Sequence, residues 1–196
     1  MLIMLAPMIS FAQKNERIIT EEIKNKINPI KTNFERINSI DKWTKIKTIE
    51  TDDSAEGGYV NYYYLNEKLE KVVVQKFGES GKFLAEYYVL NSTLSFVFER
   101  NITYNAPLYW GEFDHKKSKI KEKRYYFEKK QLIHFVGKSM NLNEESKGVI
   151  DDFEALIKAE KTLKIKSKRG TFSKNKNHEY RNFRRLSACC TSIELF

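Results

Sequence analysis

The sequence predicts an α+β fold: a six-stranded antiparallel meander sheet built from hairpins, an N-terminal helix across one face, and a second amphipathic helix near the C-terminus. Three observations predict it. A unit of paired tyrosines, a short polar gap, a leucine and an apolar run occurs three times: Tyr62-Tyr63-Tyr64 with Leu69, Tyr87-Tyr88 with Leu94, and Tyr125-Tyr126 with Leu132. In each copy one tyrosine (Tyr63, Tyr88, Tyr126) stands six positions before the leucine. Aromatic and β-branched runs flanking a short polar gap signal a β-hairpin. Apolar residues at helical spacing precede the repeats, from Ile19 through Ile23, Ile27, Ile30, Phe34, Ile37 and Ile40, and others follow them from Val149 to Leu163.

The first helix is expected within residues 18–40. Thr20 followed by Glu21 and Glu22 offers a cap and an acidic first turn. Pro29 should kink or split this helix, because proline removes a backbone donor and crowds the preceding turn. Strands are expected at 58–65, 69–77, 82–90, 93–100, 122–128 and 131–136. Asn66-Glu67, Asn91-Ser92 and Lys129-Lys130 occupy equivalent tight-turn positions, and Gly78 to Gly81 makes a looser one. Two-residue turns fix the register beside them: Tyr64 faces Leu69, Val89 faces Leu94 and Phe127 faces Leu132.

Alternation with period two then extends that face to Val60, Tyr62, Val73, Ala85, Tyr87, Phe96, Phe98, Tyr125 and Val136. This is the expected core face, with the first helix as its cover. The other face would carry Tyr63, Tyr88 and Tyr126 in a row, with Asn61, Val72, Glu86, Val97, Arg124 and Phe135. On this register His134 sits opposite Tyr125, as a core histidine.

Residues 101–121 form a long connection containing Tyr104, Asn105, Pro107, Tyr109, Trp110, Asp114 and His115. Connections of this length inside a domain are often functional, although Tyr109 and Trp110 are expected to pin this one to the sheet edge. The second helix spans 144–165, with Asp151, Asp152 and Glu154 near its start. Beyond it, residues 167–196 are expected to be a basic, disordered tail. The domain proper is thus 13–166.

The net charge of +9 is concentrated at the end of the chain: residues 162–196 hold nine basic residues and two acidic ones, which leaves the body close to neutral. That distribution argues against specific nucleic-acid recognition by the domain. The apolar run of residues 1–12, ending Ser10-Phe11-Ala12, has the character of a signal peptide without its basic start. It is too short for a transmembrane segment. Export to the periplasm or the exterior is therefore expected. Cys189 and Cys190 are adjacent, which suits neither a disulfide framework nor a zinc site.

The run Glu56-Gly57-Gly58, Phe77-Gly78-Glu79-Ser80-Gly81-Lys82, Glu86-Tyr87-Tyr88, Phe96-Val97-Phe98-Glu99, Tyr109-Trp110 and Arg124-Tyr125-Tyr126-Phe127 resembles a family of small exported bacterial proteins with tyrosine-rich hairpin repeats. The resemblance covers residues 15–166. It implies the fold and the compartment and carries no activity. The Gly-Lys and Glu-Tyr-Tyr hairpins also look distantly like MORN-type repeats, without glycines at the tight turns.

The chain shows no catalytic constellation, no phosphate loop and no calcium-loop spacing among Asp52, Asp53 and Glu56. No cofactor or metal is expected. His115 beside Asp114 is the one candidate for acid–base chemistry, and it stands among lysines. The preferred function is a non-catalytic binding module for a protein or glycan partner, with Tyr63, Tyr88 and Tyr126, or Tyr109 and Trp110, as its contact residues. The second helix is the rival claimant to the first set. An enzyme using Asp114 and His115, or anionic-surface binding by the tail, are the alternatives.

Overall fold

The three tight turns predicted from sequence each place two consecutive non-glycine residues in the left-handed region. Asn66 and Glu67 have φ of 48° and 65°, Asn91 and Ser92 51° and 64°, and Lys129 and Lys130 50° and 65°. Positive φ at both central residues is the mark of the type I′ hairpin, whose twist matches that of its strands. The repeat in the sequence is therefore a repeat in backbone geometry.

These turns organise a computed structural model that describes residues 20–169. Helix α1 (Glu21–Asn38) leads into strands β1 (Lys45–Thr51), β2 (Gly58–Leu65), β3 (Lys68–Gly78), β4 (Gly81–Leu90), β5 (Thr93–Thr103), β6 (Lys119–Glu128) and β7 (Gln131–Val136), and helix α2 (Leu142–Arg169) follows. The strands form one antiparallel sheet in simple sequence order. Residues 1–12 and 170–196 lie outside the described residues, and with them the expected signal segment and almost all of the expected tail.

The sheet has seven strands, not six. The additional strand, β1, pairs with β2 from Lys45↔Tyr64 to Thr51↔Gly58. Its apolar residues Ile46 and Ile49 are three apart and fall on opposite faces. The residue that faces inward beside Tyr62 is Lys47, whose ammonium reaches the Glu160 carbonyl at 3.2 Å and its carboxylate at 3.4 Å. An edge strand half-buried on one side, and there partly through an ion pair, carries no period-two apolar signal.

Pro29 neither splits nor ends α1, which runs unbroken from Glu21 to Asn38. Its ring faces solvent, where the missing N–H leaves little to satisfy, while Ile27, Ile30, Phe34 and Ile37 hold the other side against the sheet. The Thr20 hydroxyl accepts the Ile23 N–H at the helix start, as a cap should.

The pairs Tyr64↔Leu69, Val89↔Leu94 and Phe127↔Leu132 form as the sequence predicts. One residue further on, the register shifts in all three hairpins. Tyr63 pairs with Lys71, Tyr88 with Phe96 and Tyr126 with His134, so Glu70, Ser95 and Ile133 are left unopposed. These are β-bulges, and each one returns the following strand to the sheet with its faces exchanged.

The expected face assignment is corrected accordingly. Phe96, Phe98, Val73 and Val136 join the face of Tyr88 and Tyr126, whereas Val72, Val97 and Phe135 join that of Tyr62 and Tyr125. Every misassigned residue lies beyond a bulge. His134 moves with them and lies beside Tyr126, ring centroids 5.3 Å apart, rather than opposite Tyr125.

Both faces are therefore apolar, and each has its own helix. Ile27, Ile30, Phe34 and Ile37 of α1 cover Tyr88, Phe96, Phe98 and Tyr126. Val149 and Phe153 of α2 cover the larger cluster, which includes Tyr62, Tyr64, Tyr87, Val97, Tyr125 and Phe127. The helix expected over Val60 and Tyr62 thus lies on the opposite face, and α2 takes its place.

Candidate functional site

The tyrosine row exists, but it is closed. Tyr63, Tyr88 and Tyr126 share one face and one level of the sheet with Lys71, Phe96 and His134. Tyr88 is 1% exposed and Tyr126 4%, both beneath α1 rather than α2. The Phe34 ring lies 4.9 Å from Tyr88 and 5.4 Å from Phe96. Tyr63 is half-buried, its ring 5.2 Å from Trp43. These tyrosines are therefore core and core margin, not a recognition surface.

The polar end of Tyr88 is satisfied within the fold. The Tyr88 hydroxyl lies 2.7 Å from the Glu86 carboxylate and 3.2 Å from Asn38 Oδ1. Lys71 Nζ reaches the same two groups at 3.3 Å each and sits over the Tyr63 and Tyr88 rings at 5.4 and 5.3 Å. Burial first, and then the Glu86 charge, push the Tyr88 phenol far above its ordinary value. The group ties the end of α1 to the sheet. A counterpart on the other face ties α2, with Lys123 Nζ 2.6 Å from Glu145, and the Tyr125 hydroxyl between Glu99 and Glu145 at 3.3 and 3.4 Å.

The connection between β5 and β6 is a folded loop. Asn105 clasps it: its amide donates to the Glu112 carbonyl at 2.7 Å and its Oδ1 accepts the Asp114 N–H at 2.8 Å. Reverse turns form inside, with the Trp110 N–H on the Pro107 carbonyl and the Phe113 N–H on the Trp110 carbonyl. A single 3-10 turn, His115–Lys117, closes it, and the Asp114 carboxylate caps that turn by accepting the Lys116 N–H at 2.9 Å.

Two backbone hydrogen bonds at 2.9 Å, from Tyr104 to Ser80 and from Leu108 to Glu79, fasten the loop to the β3–β4 turn. Tyr104, Phe113 and His115 pack edge to face, with Phe113 5.1 Å from Tyr104 and 4.6 Å from His115. The anchors are therefore Tyr104 and Phe113. Tyr109 and Trp110, expected to pin the loop, do the reverse: they are 72% and 60% exposed at its tip, next to a partly exposed Leu108.

The sequence offered no way to rank these aromatics, since all lie in one polar stretch. A local signal did exist in Asn105, which begins an Asn-Ala-Pro turn and whose side chain can close a loop on itself. His115 is engaged with Phe113, and Asp114 serves the 3-10 turn. Among the described residues no group of three or more His, Cys, Asp or Glu side chains could hold a metal ion, and no helix is long and apolar enough to cross a membrane. Comparison with protein-family models, with curated proteins and with solved structures gives no match for this chain. The loop tip is the candidate site on its geometry alone.

Proposed function

We propose that the chain is a non-catalytic binding module that docks a partner protein through the loop tip formed by Leu108, Tyr109 and Trp110. The observation that carries this reading is the pairing of large exposure at Tyr109 and Trp110 with a backbone already fixed by Asn105 and by the tethers to Glu79 and Ser80. Aromatic side chains bury about 150–250 Å² each, and tryptophan and tyrosine are enriched among interface residues that dominate affinity. A loop ordered beforehand avoids much of the entropy that docking costs.

Two features favour protein over glycan. Leu108 and Pro107 extend the aromatic tip with aliphatic surface. The side-chain groups of Asn105 and Asp114, which could have bonded sugar hydroxyls, are used inside the loop. The accompanying location is the periplasm or the exterior, for which the apolar character of residues 1–12 is the support.

The test compares wild type with Tyr109→Ala/Trp110→Ala in capture from the cell-envelope and secreted fractions, followed by a binding isotherm with each purified captured protein. The expected result is a partner whose affinity falls more than about tenfold in the double variant, or about 1.4 kcal/mol. Equal affinity for both forms overturns the proposal. So does a glycan-array signal that depends on the two aromatics while no protein partner does.

A further inference from the structure

On the α2 face, a recess of about 340 Å³ opens between α2 and the ends of β1–β4 remote from the tyrosine turns. Val60, Val74 and Phe83 form its floor, Tyr62 and Tyr87 one side, and Leu156 with Ala155 and Ala159 the helix wall. The volume lies within the range of small-molecule sites, and the lining has their usual composition of apolar surface with a few polar groups. The Tyr62 hydroxyl is bound to the Leu156 carbonyl at 2.9 Å, which fixes the helix at this distance from the sheet.

Tyr87 lines the recess on the sheet side. It is 3% exposed, and its ring stacks on Phe153 at 5.9 Å and 24°. Its hydroxyl is not among the buried polar atoms that lack a partner; it borders the recess, where water or a ligand can reach it. The polar groups around the recess are Asp152, Asp53, Lys76 and Thr51, and none of the three charged side chains has an ion-pair partner within 4.0 Å among the described residues.

The balance of charge is negative. Two rim carboxylates face one ammonium, and the Glu99 carboxylate also acts on Tyr87 from behind. The Tyr87 phenol is raised above its ordinary value, first by burial and then by the Asp152 and Glu99 charges. An anionic ligand would have to desolvate against that field, whereas an ammonium group is drawn to it.

We propose that this recess binds a small organic amine, its aromatic or branched apolar body on Val60, Val74 and Phe83 and its ammonium group between Asp152 and the Tyr87 hydroxyl. The ammonium donates to both oxygens. Lys76 and Asp53 lie at the rim, where Asp53 disfavours a carboxylate and the pair admits a second polar group on the ligand. This site is separate from the loop tip and does not depend on the partner proposed there.

Three probes of one shape test it: 2-phenylethylamine, 2-phenylethanol and 3-phenylpropionate, titrated into the full chain and followed by amide chemical shifts and calorimetry. The amine should bind about tenfold more tightly than the alcohol, with the carboxylate weakest, and the shifts should centre on Val60, Val74, Tyr87 and Leu156. Asp152→Asn, a change of charge at an exposed position, should remove the preference for the amine. Ala159→Phe should fill the recess and abolish binding of all three. The proposal is overturned if the carboxylate binds as well as the amine, if Asp152→Asn leaves the preference intact, or if no probe shifts these residues.

Discussion

The Asn33 side-chain amide donates to the Val89 carbonyl at 3.0 Å, at the point where β4 and β5 change register. Three residues along the same helix, the Arg36 guanidinium meets the Glu70 carboxylate and also donates to Asn33 Oδ1 at 2.8 Å. Glu70 is the unopposed residue of the first bulge. Helix α1 thus attaches to the sheet where the ladder is interrupted, and its polar residues take up groups at the irregularity. Asn33→Leu should leave the buried Val89 carbonyl unsatisfied, at a cost of about 1–3 kcal/mol. Urea unfolding would measure it, and a loss below 0.5 kcal/mol, at about the level of a neutral surface change, would show that water replaces the amide.

Phe96 is 1% exposed and touches Phe34, Tyr88 and Tyr126, with ring centroids 5.4, 5.6 and 4.9 Å away. Phe96→Ala is expected to cost about 3–5 kcal/mol. Because Phe34 belongs to α1 and Phe96 lies in the cluster that α1 covers, the variant should also raise amide exchange in α1 more than in α2. Exchange rising equally in both helices would argue against two separately covered faces.

The turn residues Glu67 and Ser92 sit in the left-handed region without glycine's freedom. Glu67→Gly and Ser92→Gly each create an Asn-Gly type I′ turn and should stabilise the protein by about 1 kcal/mol, the strain relieved exceeding the added chain entropy. An increase in thermal midpoint for both variants is the expected readout.

In the β5–β6 loop, Tyr109→Ala/Trp110→Ala should change stability by less than about 0.5 kcal/mol, as exposed positions do. Asn105→Ala should loosen the loop, visible as accelerated proteolysis between 105 and 114, with the sheet unaffected. If the tip variants destabilise and Asn105→Ala does not, then the tip rather than the clasp holds the loop.

Alkaline pH offers a further check. Burial, and then the Glu160 charge, push the Tyr62 phenol up to about 12, and burial likewise raises Tyr87, Tyr88 and Tyr125. The unfolded value is about 10, so above that pH the folded state holds protons that the unfolded chain releases. Stability from these groups is complete below about pH 10 and is lost as pH rises toward and through the folded values. Phenolate absorbance should therefore rise together with loss of the far-UV dichroism in one transition. Smooth ionisation of these tyrosines within an intact fold would contradict their burial.

The elements and the turns were legible in the chain. Six strands, both helices, the three type I′ positions and the pairs beside them follow from local chemistry: polar residues that tolerate positive φ, alternation on the strands, and isoleucine at helical spacing. The sequence did not reveal β1, since an edge strand that turns Lys47 toward Glu160 has no apolar alternation to detect. Which face is which depended on the folded sheet. A period-two count cannot register an unopposed residue, so one bulge after each tight turn moved Phe96, Phe98 and Val136 to the other side and brought Val72, Val97 and Phe135 back. The covering helices followed: α1 closed over the tyrosine row, and α2 took the face left to it. The same holds for the candidate sites. Tyr104 and Tyr109 are alike in a sequence, and the loop's contacts with the β3–β4 turn made one an anchor and left the other in solvent. The recess beside Tyr87 joins residues of four strands, a loop and a helix, and its existence depends on where α2 comes to rest.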